Sequence, residues 1–154
     1  MVYVPLPLPA ARVLRAGEPL HRVPGHAATP SLRQALDLGA DDEEGDYAAL
    51  NAAGVAALDG LPGSRRLVLA AEVGDAQVTD RRGGSGEVEV AGLSWAQVRS
   101  VFADEEVAGP AVTAAARAAT GVALAEAYGL PAVAALVDAH DLLWFSPEEL
   151  DALS

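Results

Sequence analysis

The sequence predicts an α+β fold in one domain, residues 1–154: a mixed sheet of five or six strands with a meander in its middle, covered by Ala-rich helices. Three observations carry this. Leu67, Val68, Leu69, Ala70 and Ala71 form an unbroken apolar run, too short for a usual helix and apolar on both alternating faces, as in a strand covered on both sides. Residues 87–90 alternate glutamate and valine, the pattern of a half-buried strand. Helix-start signals, Thr29-Pro30 and Ser146-Pro147-Glu148-Glu149, fall between such runs. A chain of 154 residues is most simply one domain with a core of its own.

Val2, Val4, Leu6 and Leu8 alternate with Tyr3, Pro5, Pro7 and Pro9. Proline cannot donate to a ladder, so a first strand over 2–4 should continue as edge or polyproline-like chain. Pro9 then suits the first turn of a short helix to Arg15, stopped by Gly17. A second strand is predicted over 22–28, bent at Pro24-Gly25. Thr29 caps a helix running to about Leu38, with Gly39 as its stop. The acidic run Asp41, Asp42, Glu43, Glu44 and Asp46 precedes a helix over 46–58 whose stripe is Tyr47, Leu50, Gly54 and Leu58. Gly on a buried stripe predicts a close crossing at Gly54.

The central strand spans 67–73. Residues 74–86 read as a long loop, flexible at Gly83-Gly84-Ser85-Gly86. Strands over 87–91 and 98–103 follow, with a helical turn at 94–97 between them. The remainder is helical over 107–119, 121–128 and 131–140, apart from a last strand over 142–145. Large apolar side chains are scarce because alanine supplies much of the 51% apolar content, so Phe102, Phe145, Trp95 and Trp144 should mark the core or its edge.

Absences bound the chemistry. There is no cysteine, and every basic residue is arginine. That excludes thiolate nucleophiles, thiolate-held metals, a Schiff-base lysine and a P-loop lysine. A net charge of −12 disfavours nucleic acid and anionic membrane surfaces, and is compatible with a basic partner. No apolar stretch reaches the roughly 20 residues of a membrane span. A cytoplasmic protein without cofactor or metal is expected.

Candidate site residues are few. His140 lies between Asp138 and Asp141's flank at a helix end, where a cap favoured by the helix dipole is the plain reading. The chemical reading groups His140 and Asp141, with His26 and Tyr3, as a metal or acid–base site. His21 and His26 are five apart, which is not zincin spacing. The acidic run lacks the ligand alternation of a calcium loop, and Arg81-Arg82-Gly83-Gly84-Ser85-Gly86 does not lead from a strand into a helix as phosphate loops do. Trp144 and Phe145 must point to opposite faces of a strand, so one can serve as a partner contact together with Leu142.

The opening Val2-Tyr3-Val4-Pro5-Leu6, the Ala28-Thr29-Pro30-Ser31-Leu32-Arg33 helix start, Asp46-Tyr47-Ala48-Ala49 and the end His140-Asp141-Leu142-Leu143-Trp144-Phe145-Ser146-Pro147-Glu148-Glu149-Leu150 together resemble a family of short actinobacterial proteins, a domain of unknown function. The resemblance implies a bacterial, cytoplasmic protein and carries no functional residue across. The leading expectation is a non-enzymatic interaction or regulatory module that binds a protein partner or itself, as a homo-oligomer. The alternative is a small metal-binding or acid–base enzyme built on His140 and Asp141.

Overall fold

The structure, a computed structural model, describes residues 1–39, 43–81 and 84–154. Its strands are β1 (Val2–Pro5), β2 (Leu20–Ala27), β3 (Leu67–Ala71), β4 (Val78–Asp80), β5 (Glu87–Leu93), β6 (Val98–Ala103) and β7 (Leu143–Phe145). Its helices are α1 (Leu8–Arg15), α2 (Pro30–Ala35), α3 (Glu43–Ala56), α4 (Gly109–Ala119), α5 (Leu124–Ala127) and α6 (Pro131–Ala139). The class is α+β. The sheet has seven strands in the order β4-β5-β2-β1-β3-β6-β7, not five or six, because the loop after β3 contains β4.

The expected mixed sheet and central meander are both corrected. Every pairing is antiparallel. Between β3 and β5 lie β1 and β2, and β6 pairs with β3, so the three strands of the expected meander are not joined in succession. Alternation shows which face a strand buries and nothing about its partner. β3 does lie in the interior, between β1 and β6, and all of it is buried.

β1 is the middle strand of the seven, and Pro5, expected in its edge or polyproline-like continuation, still pairs with Val68. Its prolines are tolerated for a reason that the register makes plain. Leu6 N–H donates to Leu67 O at 3.2 Å, so even-numbered amides of β1 face β3 and odd-numbered ones face β2. On β2, Ala27 N–H donates to Gly86 O at 2.8 Å, so its even-numbered amides face β1. Val2↔Ala27 and Tyr3↔His26 are paired, and the next hydrogen-bonded pair in that register would be Pro5 with Pro24. Neither has an N–H. The β1–β2 ladder stops there, while β1 continues on β3 as far as Pro5↔Val68. Pro24-Gly25 lies within β2, whose pairing to β5 runs through both residues.

The sheet's two faces are covered differently. One face packs Val2, Val4, Leu69, Val88, Val90 and Val101 against Leu14 of α1 and Leu150 and Leu153 of the C-terminal turn. On the other face α3 lies against β1, β2 and β3, and a second cluster joins Val55 and Leu58 to Val112 of α4 and Val133 and Leu136 of α6.

Small residues make that second face possible. Gly45, Ala49, Ala52, Ala53, Gly54 and Val55 are buried on α3, whereas Tyr47, expected on the buried stripe, is 61% exposed. The helix approaches through its alanines, and a tyrosine on that line would hold it off. At Gly54 the close neighbours of an added Cβ would be Leu142 Cδ1 at 3.2 Å and Arg66 Nη1 at 3.5 Å, so side chains, not a crossing helix, occupy the space.

Local signals set several boundaries. Thr29 Oγ1 accepts from Leu32 N at 3.1 Å as the cap of α2, with Pro30 behind it. α2 ends at Ala35, earlier than the expected Leu38. Glu43, Glu44 and Asp46 fall in the first turn of α3, where the helix dipole favours them; Asp41 and Asp42 lie outside the described residues, as do Arg82 and Gly83 of the expected loop. Ser146 N–H donates to Glu149 Oε2 at 2.7 Å, the reciprocal half of a capping box, which starts a 3-10 turn over Pro147–Ala152.

Candidate functional site

The four residues expected to form a chemical site fall in two places. Tyr3 and His26 are cross-strand partners in the middle of the sheet, with Glu87 opposite His26 on β5. Tyr3 packs its ring 6.4 Å from that of Phe102. Burial, reinforced by Asp46, pushes its hydroxyl pKa up to about 12. His26 is buried, its Nδ1 without a hydrogen-bond partner among the described residues. Burial lowers its pKa from 6.5, with Glu87 acting in the opposite sense.

His140 and Asp141 follow α6. His140 Nδ1 stands 3.4 Å from Glu105 Oε1, and Asp141 is exposed. The cleft that both residues line has a volume of about 20 Å³, room for about one water molecule and no substrate. Neither Tyr3 nor His26 lines it. Among the described residues no group of three or more His, Asp or Glu side chains is placed to hold a metal ion.

Beside His140 lies a buried ionic cluster that the sequence reading passed over. Asp104 is fully buried and Arg66 3% exposed. Asp104 Oδ2 accepts from Arg66 Nε at 2.8 Å and from the Arg66 backbone N–H at 2.9 Å, and Oδ1 accepts from Arg66 Nη2 at 2.7 Å. Arg66 Nη2 also donates to His140 O at 3.3 Å. The pair extends the β3–β6 ladder one step past Leu67↔Ala103. In an antiparallel pair the residue before one strand faces the residue after the other, here Arg66 and Asp104, a juxtaposition that only the pairing of β3 with β6 reveals.

The outermost strand presents a different surface. Phe145 packs into the core beneath the sheet, while Trp144 on the opposite side is 60% exposed and Leu143 42% exposed. Trp144 Nε1 donates to Ser100 Oγ at 2.9 Å, which orients the indole while most of it stays uncovered. Leu142 is half-buried and faces Gly54 of α3. Among the described residues β7 is bonded to β6 alone, so its outer edge offers backbone donors and acceptors.

The fold and these clusters define an antiparallel α+β architecture with a structural ion pair and an exposed aromatic edge. The chain belongs to DUF6912, a family of unknown function, whose model matches residues 1–153. No curated protein and no solved structure matches it. No helix among the described residues is long and apolar enough to cross a membrane.

Proposed function

We propose that the protein is a non-enzymatic interaction module whose partner adds to the β7 edge and covers Trp144. The observation that carries this reading is the pairing of a 60% exposed Trp144 with an outer strand edge that is unbonded among the described residues. Main-chain bonds along such an edge supply affinity and alternate side chains supply selection. Tryptophan is among the residues that most often dominate an interface. Charge selects the class of partner. Asp138, Asp141 and Glu148 are exposed on either side of β7 in the chain, and the net charge is −12, so a basic, extended protein segment is complementary. A second copy would bring like charges together, and ranks below it.

The test is calorimetric titration with a nine-residue peptide alternating arginine and valine, at low and high salt, beside light scattering of the protein alone. Binding that weakens about tenfold or more with added salt and on Trp144→Ala is expected. Unchanged binding to Trp144→Ala overturns the site. A dimer dispersed by Trp144→Ala overturns the basic partner and gives the edge to a second copy.

A further inference from the structure

The ladder that stops at Tyr3↔His26 leaves a cleft beyond it. The cleft has a volume of about 350 Å³ and opens where Pro5 and Pro24 face each other, bounded by the C-terminal end of α3 and the turn that follows, with Leu61 among its apolar walls. Its polar groups are His26, Glu87 and Asp59. A cavity of about 150 Å³ holds one benzene molecule, so this one suits a body of about two rings.

His26 decides what such a body must carry. It is 4% exposed, and its Nδ1 is sealed without a hydrogen-bond partner among the described residues. Nε2 is therefore the nitrogen that serves the cleft. A neutral imidazole has one donor and one acceptor nitrogen. A sealed N–H without an acceptor is the rarer and costlier arrangement, so the proton belongs on Nε2. Burial keeps the ring uncharged at neutral pH. The carboxylates of Glu87 and Asp59 on the wall disfavour an anion, and a cation would meet the Nε2–H donor.

We infer that this cleft is a binding site for an uncharged, mainly apolar, bicyclic-sized molecule whose single hydrogen-bond acceptor, a carbonyl oxygen or ring nitrogen, accepts from His26 Nε2. The site owes nothing to the β7 edge. The fold makes it from a register in which two prolines coincide, so the sheet supplies a gap, a wall and a donor together.

Quinoline, naphthalene and quinoline-2-carboxylate share a shape and differ in the acceptor and the charge. Titrated into the intact protein at pH 7.5, quinoline should bind saturably and shift the His26 ring nitrogen signals. Naphthalene should bind about tenfold more weakly, the worth of one hydrogen bond, and the carboxylate weakest of the three. His26→Phe should erase the preference for quinoline over naphthalene. Ala57→Leu, at a half-buried wall position away from the imidazole, should weaken both while the circular dichroism stays native. Equal binding of quinoline and naphthalene to the wild type overturns the inference. So does a preference that survives His26→Phe, or the absence of saturable quinoline binding at millimolar concentration.

Discussion

Two buried polar groups stand on this sheet in opposite conditions. Asp104 takes three hydrogen bonds from Arg66, and Arg66 gives a further one to His140 O. His26, buried to a similar degree, has a ring nitrogen with no hydrogen-bond partner among the described residues. Burial alone is common to both, and so does not distinguish structure from function. The count of satisfied donors and acceptors does. In the Arg66–Asp104 cluster both carboxylate oxygens and the guanidinium Nε and Nη2 are engaged, and its work is to hold β3, β6 and the chain after α6 together. A partly met group beside a cleft retains capacity for a ligand.

The largest expected effect tests the closed side of this contrast. Asp104→Ala leaves a buried guanidinium uncompensated and should lower the unfolding free energy by about 3–5 kcal/mol in urea denaturation. The double change Arg66→Met with Asp104→Leu should restore most of that loss, since a well-packed apolar pair is often as stable as an ionic one. A cost below about 1 kcal/mol for Asp104→Ala would mean that the cluster is not closed as described.

The open side is read by acid. In the unfolded chain His26 takes up its proton near 6.5, and in the folded protein only at lower pH. Below pH 6.5 the unfolded state therefore binds more protons, and stability falls as pH falls. His26→Phe should remove that part of the acid loss, seen as a shallower slope of melting temperature between pH 6.5 and 5. At pH 7 the same change should alter stability by about 1 kcal/mol or less, because Nδ1 has no hydrogen bond among the described residues to lose and Nε2 serves the cleft. An unchanged acid slope would sink the account of a buried, neutral His26.

Tyr3, the cross-strand neighbour of His26, sharpens the picture from the alkaline side. Its hydroxyl is held up to about 12 against an ordinary 10. The folded state keeps a proton that the unfolded chain gives up, so stability present below pH 10 is lost as pH rises towards 12. Tyr3→Phe should abolish this alkaline step, and a step of equal height in the variant would assign it elsewhere. The smallest effect belongs to His140. Its ring meets only an exposed Glu105 among the hydrogen bonds described, so His140→Gln should cost about 1 kcal/mol or less; a loss of several kcal/mol would make its ring part of the closed cluster.

Much of the local structure was legible. Thr29-Pro30, Pro9 and Ser146-Pro147-Glu148-Glu149 mark starts that the structure keeps, because caps and proline geometry act within one turn. The buried β3 was legible because its apolar character does not alternate. Of the expected α3 stripe, Gly54 and Leu58 are buried but Tyr47 is not: close packing of alanines on the sheet set the helix face instead. Of the site residues, His26 and Tyr3 were visible only as residue types, while Arg66 and Asp104 looked like ordinary charges at two element ends.

The sequence by itself determined many of the turns, most of the strands and helices though not β4, and which chemistries lack their side chains, since these depend on neighbours a few positions apart. It also placed every proline. Only the tertiary structure decided that Pro5 and Pro24 meet at one ladder position, that Arg66 and Asp104 share one step of another, and that Trp144 faces outward. Strand order is set by contacts between residues far apart in the chain, whose free energy comes from filling a common core. No local pattern records which strand lies beside which.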